Sequence, residues 1–182
     1  MNMKKRIALI TGATSGIGEA CARRFAMGGY NIIVTGRNRK RLDEMKKELE
    51  AEGADVLTLC FDVRDRAQTK EAVESLGEEW QAVDVLINNA GLARGLEPEY
   101  DGDFTDWDEM IDTNIKGLLN MTRLILPGRV ERDHGHVINI GSVAGDAAYA
   151  GGGVYCATKA AVKALSDGLR IDVAHTKVRV TN

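Results

Sequence analysis

Cysteine is scarce in this 182-residue chain, which carries only Cys21, Cys60 and Cys156. They are odd in number, far apart and free of CxxC spacing, which excludes a disulfide framework and a thiolate zinc site. Histidine adds no metal site, because His134, His136 and His175 share no ligand spacing. Long apolar runs are missing too. Met1 to Thr11 has a basic start and only a short apolar stretch before Gly12, so it reads as neither signal peptide nor membrane span, and no later segment reaches a span's length. Charge of one sign is not in surplus: the formal net charge is -3 with 28% charged residues, without the basic excess of a nucleic-acid binder. The expectation is a cytoplasmic protein with no metal, no nucleic acid and no membrane among its partners. No linker, repeat or low-complexity tract interrupts the chain, and 44% hydrophobic content is enough for one domain with a sizeable core.

What is present is alternation. Short β-branched runs predict strands at Arg6 to Thr11, Asn31 to Thr35, Asp55 to Phe61, Val83 to Asn88, Gly135 to Ile140 and Lys177 to Val180. Most are near-continuous apolar runs, as strands covered on both faces should be. Apolar residues at intervals of three and four predict helices at Gly18 to Met27, Arg39 to Glu52, Arg66 to Glu79, Trp107 to Leu126 and Tyr155 to His175. Gly28-Gly29 and Gly53 supply helix stops, and Glu97 to Glu109 reads as a solvated loop entering a helix. The predicted class is α/β: a three-layer, Rossmann-type, doubly wound parallel sheet built from βαβ units.

The first motif is Thr11-Gly12-Ala13-Thr14-Ser15-Gly16-Ile17-Gly18, directly after the first strand and opening the first helix. Its glycines permit a tight turn, close approach of a pyrophosphate and packing of helix on sheet, while the helix N-terminus offers unpaired N–H groups. A dinucleotide is the expected ligand, held by residues Gly12 to Gly18. After the second strand, where a carboxylate would favour ribose hydroxyls, the chain reads Gly36-Arg37-Asn38. Arg37 is suited to a 2′-phosphate, so NADP is expected over NAD, with Arg37 and Asn38 as contacts; the alternative is that these residues merely begin a basic helix. Asp62 and Val63 after the third strand are candidates for the adenine, with Asp62 equally suited to cap a helix. After the fourth strand, Asn88-Asn89-Ala90-Gly91 fits a crevice wall that touches the ligand and cross-links strands, with Asn89 the proposed contact, although turn chemistry also favours these residues.

A phenol and an ammonium at Tyr155 and Lys159 share one helical face. An ammonium about 4 Å from a phenolate is worth about 4 kcal/mol to the anion at an effective dielectric near 20. That is how a side chain that normally keeps its proton becomes a general base. Taken singly, such a pair is usually a helix surface, and a serine after a strand is usually a cap. A serine-nucleophile mechanism is disfavoured, since Ser142 lies outside any GxSxG elbow.

Together, Gly12-x3-Gly16-x-Gly18, Asn88-Asn89-Ala90-Gly91, Asn114, Ser142 and Tyr155-x3-Lys159 resemble the short-chain dehydrogenase/reductase family over essentially the whole chain. Thr35-Gly36-Arg37, Asp112-Thr113-Asn114, Leu126-Pro127-Gly128 and Tyr149-Ala150-Gly151-Gly152 are similar to its NADP-dependent 3-hydroxy acid dehydrogenases, which act on serine or allo-threonine. The resemblance implies strand order 3-2-1-4-5-6 and hydride transfer between a secondary alcohol and nicotinamide. It implies Tyr155 as acid/base, Ser142 holding the substrate oxygen, Lys159 also holding the nicotinamide ribose, and Asn114 holding a water that links Lys159 to solvent. A small alcohol or ketone is then the substrate. The alternatives are a ketone or 3-ketoacyl-acyl-carrier-protein reductase, or a nucleotide-binding protein without turnover.

Family members commonly form dimers or tetramers through the two long helices, which here carry Leu118, Leu119, Leu124, Leu165 and Leu169. They also continue past the point at which this chain reads "VRVTN", with a Pro-Gly loop, a substrate lid and a seventh strand. The expectation is therefore one NADP-binding domain over residues 1–182 that carries the catalytic residues and stops before the lid, with the seventh strand missing.

Overall fold

The computed structural model describes residues 5–182; Met1 to Lys4, the basic start discussed above, lie outside the described residues. Six parallel strands form one sheet in the order β3-β2-β1-β4-β5-β6. They are β1 (Ile7–Ile10), β2 (Asn31–Gly36), β3 (Val56–Cys60), β4 (Val83–Asn88), β5 (Gly135–Asn139) and β6 (Val178–Thr181). The helices are α1 (Gly16–Met27), α2 (Arg39–Ala51), α3 (Arg66–Glu74), α4 (Glu78–Gln81), α5 (Phe104–Ile111), α6 (Leu118–Glu131) and α7 (Gly153–Asp172). All six expected strands are present, with ends differing by at most one residue.

Alternate residues of each strand face opposite sides, and each side has its own core. Ala8, Ile10, Ile32 and Val34 pack with Ala22 of α1 and Leu42, Met45 and Leu49 of α2. Ile7, Leu9, Ile33 and Leu86 pack on the other side with Met121 and Ile125 of α6 and, at the margin, Leu169 of α7. Cover on both faces explains why the strands are apolar at every position.

Two of the expected helices depart most from the sequence reading. The segment expected as one helix over Arg66 to Glu79 is two, α3 and α4, parted at Ser75 to Gly77, where Ser75 Oγ donates back to the Ala72 carbonyl at 2.8 Å. The helix expected from Trp107 begins at Phe104, because Asp103 accepts from the Thr105 N–H at 2.6 Å and caps it. It then passes through a π-helical turn, Asp112–Gly117, into α6, which continues through Pro127 to Glu131 instead of ending at Leu126. The widened turn lets Gly117 lie against Val63, where a Cβ would approach Val63 Cγ2 to 2.7 Å. Among the described residues no helix is long and apolar enough to cross a membrane, and no group of three or more His, Cys, Asp or Glu side chains is gathered as a metal site.

Candidate active site

The strand order reverses between β1 and β4, and a crevice of about 470 Å³ opens there at the carboxyl ends of the strands. Its floor is the turn from β1 to α1. Gly12 and Gly16 take φ +61° and +56°, a region in which side chains are strained, and a Cβ on Gly12 would meet Ala90 Cα at 2.9 Å. Ser15 precedes α1 without capping it through its side chain. The first-turn N–H groups of α1 are thus left for an anion from outside the helix.

The turn is held by Asn89, whose amide donates to the carbonyls of Thr11 (2.9 Å) and Gly12 (3.0 Å). Thr11 Oγ1 in turn accepts from the Asn89 and Ala90 N–H groups, both at 3.0 Å. Gly12, Thr14, Ser15, Gly16, Ile17 and Asn89 line the crevice, whereas two of the residues expected to hold the ligand, Ala13 and Gly18, do not. Ala13 is turned into the core and donates its N–H to the Thr35 carbonyl at 3.0 Å. Gly18 packs under the turn, where a Cβ would lie 2.4 Å from both Asn89 Nδ2 and the Gly12 oxygen.

At one end of the crevice stand Arg37, Asp62 and Val63. Asn38, expected beside them, lies outside the lining and caps α2 by accepting from the Arg41 N–H at 3.0 Å. Arg41 itself is tied to Glu19 and Glu48. Asp62 is not the cap of α3; Asp65 is, accepting from the Ala67 and Gln68 N–H groups. Instead Asp62 accepts from the Arg64 side chain at 2.7 to 3.1 Å and from the Arg64 N–H at 3.0 Å. Burial alone would raise its pKa, but hydrogen bonds from Arg64 and the charges of Arg64 and Arg37 outweigh it and hold the carboxyl below its usual range. Sequence reasoning missed Arg64 and its second partner, Glu109, since neither lies in a motif. The positive excess of Arg37, Arg64 and Arg94 over Asp62 and Glu109 suits a phosphorylated ribose, and the turn suits a pyrophosphate, so the residues present fit a 2′-phosphorylated dinucleotide.

At the other end, Tyr155 and Lys159 lie in the crevice wall with Gly91, Ile140 and Gly141. Lys159 is 7% exposed, donates to the Ile140 carbonyl at 2.8 Å and has its ammonium 5.9 Å from the centre of the Tyr155 ring. Burial lowers its pKa. Asn114, in the π-helical turn, is fully engaged. Its Oδ1 accepts from the Leu92 N–H (2.8 Å), and its Nδ2 donates to the Leu92 carbonyl (2.9 Å) and to Thr158 Oγ1 (3.0 Å). Thr158 Oγ1 donates to the Tyr155 carbonyl at 2.7 Å, so Asn114 supports the turn of α7 that presents the phenol. Ser142 stands beside the lining residue Gly141, and its oxygen accepts from the Ala144 N–H at 3.2 Å, a cap that leaves its own proton to donate. Beneath these residues Asn88 donates to Asn139 Oδ1 and Thr122 Oγ1, and Asn139 donates to Ser166 Oγ, tying β4, β5, α6 and α7 together.

Comparison with known proteins agrees with this geometry. The short chain dehydrogenase family model matches residues 6–182. An NADP-dependent 3-hydroxy acid dehydrogenase of Salmonella typhi is 55% identical over 176 residues, spanning 97% of this chain and 70% of that protein. Serine dehydrogenase from Escherichia coli superimposes with a TM-score of 0.92 at 53% identity, over 96% of this chain and 79% of that one. A closed form of serine dehydrogenase complexed with NADP+ does so with a TM-score of 0.90 at 53% identity, over 96% and 69%. The glycine turn and the tyrosine-lysine pair line one crevice on a sheet of this order, and both the family model and these relatives match along nearly the whole chain: it belongs to the short chain dehydrogenase family.

Proposed function

We propose that this protein is an NADP-dependent oxidoreductase, a single nucleotide-binding domain acting on the secondary alcohol of a small 3-hydroxy acid such as serine or allo-threonine. The observation that carries the reading is that Tyr155 and Lys159 share one crevice with the Gly12 to Gly16 turn and Arg37. NADP, when bound, supplies the nicotinamide carbon that accepts the hydride. Gly12, Thr14, Ser15, Gly16 and Ile17 hold the pyrophosphate, Val63 packs on the adenine, and Arg37 takes the 2′-phosphate. Ser142 donates its hydroxyl proton to the substrate oxygen. Tyr155 removes the alcohol proton in oxidation and returns it in reduction. Lys159 stabilises the phenolate and has N–H groups beyond the Ile140 bond for the ribose hydroxyls. Asn114 enters as a support of Tyr155 through Thr158.

A dimer or tetramer is part of the proposal, supported by Phe104, Ile111 and Leu119, which lie exposed along α5 and α6. The purified protein, offered serine, allo-threonine and unrelated secondary alcohols with NADP or NAD, should form reduced cofactor fastest with the 3-hydroxy acids and NADP. Arg37→Asp should weaken NADP binding, by about 1.5–3 kcal/mol for the lost charge-assisted contact, and affect NAD much less. Tight NADP binding with no turnover across the panel would favour a nucleotide-binding role without catalysis.

A further inference from the structure

Five charged side chains meet at the adenosine end of the crevice, and they are not equally held. Asp62 and Glu109 both lie mostly out of solvent. Arg64 grips Asp62 through three side-chain contacts of 2.7 to 3.1 Å and reaches Glu109 Oε1 at 3.3 Å. Arg94 Nε forms an ion pair with Glu109 Oε2 at 3.0 Å. Arg37 is the loose member: its nearest approaches, 3.7 Å to Asp62 and 3.6 Å to Glu109, are beyond directed hydrogen bonds, and its side chain is 56% exposed. It is also the arginine of the three that lines the crevice, beside Asp62.

This division poses a problem that the sequence hides. A carboxylate in the wall next to a 2′-phosphate repels it and competes for the arginine that should bind it. We propose that Arg64 is a specificity-determining positioning residue: by taking up the charge and lone pairs of Asp62 from behind the crevice wall, it makes that carboxylate compatible with a 2′-phosphate and keeps Arg37 available. The proposal rests on the NADP reading given above. Arg64 does not itself line the crevice and acts on it chiefly through Asp62, with a longer contact to Glu109. Without it, Asp62 turns to Arg37, and the site becomes one that prefers free ribose hydroxyls.

The test uses two small probes of the adenosine end, adenosine 2′,5′-bisphosphate and adenosine 5′-monophosphate, titrated calorimetrically into the full chain at fixed salt. Wild type should prefer the bisphosphate. Arg64→Met should lower that preference about tenfold, equivalent to about 1.4 kcal/mol. Adding Asp62→Asn to Arg64→Met should bring the preference back to about the wild-type level, which a general loss of structure at position 64 would not allow. Should Arg64→Met fail to fold, Asp62→Asn alone still decides: the preference should rise, and a value that falls or does not move overturns the proposal. An unchanged preference in Arg64→Met, or a double variant as poor as Arg64→Met, also overturns it. Absence of any preference in wild type would instead refute the NADP reading.

Discussion

Replacing Arg129 with methionine should stabilise this protein. Arg129 lies on α6, is 1% exposed and packs its stem against Gly135, where a Cβ would approach Arg129 Cδ to 2.6 Å. Its Nη1 donates to the Ile125 carbonyl at 2.7 Å, while Nε and Nη2 find no partner among the described residues. Burial, reinforced by the charge of Arg132 and opposed by Asp84, lowers its pKa to about 9, so at neutral pH the charge stays and the folded state bears the penalty. Methionine keeps an unbranched stem of similar length and removes the charge. Exchanges of buried charged groups for apolar ones of similar volume have gained about 1–4 kcal/mol, and the lost bond to Ile125 takes back about 1 kcal/mol. A net gain of about 2 kcal/mol should raise Tm by roughly 4–8 °C in a chain of this size. Urea denaturation should show a higher midpoint at unchanged slope. The sign with pH follows from a folded value of about 9, well below the ordinary arginine range. The unfolded chain holds the proton more tightly, so the handicap of wild type is complete below pH 9 and shrinks as pH climbs above it. The stability gap between the two proteins should therefore narrow toward alkaline pH. A midpoint that is unchanged or lower in Arg129→Met would refute the reasoning, showing that the guanidinium is well satisfied where it is.

Tyr155→Phe removes the phenolic oxygen and keeps the ring, so turnover should fall by at least about 10²–10⁴-fold with NADP affinity retained; a near-normal rate would dismiss Tyr155 as the base. Asn114→Ala deletes three hydrogen bonds of 2.8 to 3.0 Å in a buried site. It should destabilise the fold by about 1–3 kcal/mol in chemical denaturation and lower kcat through the Thr158 link to Tyr155, whereas unchanged stability would contradict the bonding described. Gly18→Ala places a Cβ 2.4 Å from Asn89 Nδ2 and the Gly12 oxygen. Nucleotide affinity and stability should drop together, the latter by about 1–3 kcal/mol, and intact affinity would mean the turn has room that its geometry denies.

The strands, the turn motif and the Tyr155-Lys159 pair were legible in the sequence because each depends on local rules. Apolar runs with β-branched residues form buried strands, glycine alone accepts the turn's backbone, and a spacing of four puts two side chains on one helical face. The parallel pairing in the order β3-β2-β1-β4-β5-β6 agrees with what the family resemblance implied. Local rules failed where a distant contact decides. The helix start at Phe104, by contrast, is set by a local cap, Asp103, that the sequence reading passed over, and α6 runs on through Pro127. Ala13 and Gly18 of the turn motif, and Asn38 after β2, lie outside the crevice, because order along the chain does not say which side of a turn a residue faces. The charge cluster is the clearest case. Arg37, Arg64, Arg94, Asp62 and Glu109 come from four separate stretches of sequence. A charge's partner depends on distance in space, so which arginine is gripped and which is left for a ligand was settled by the tertiary structure alone.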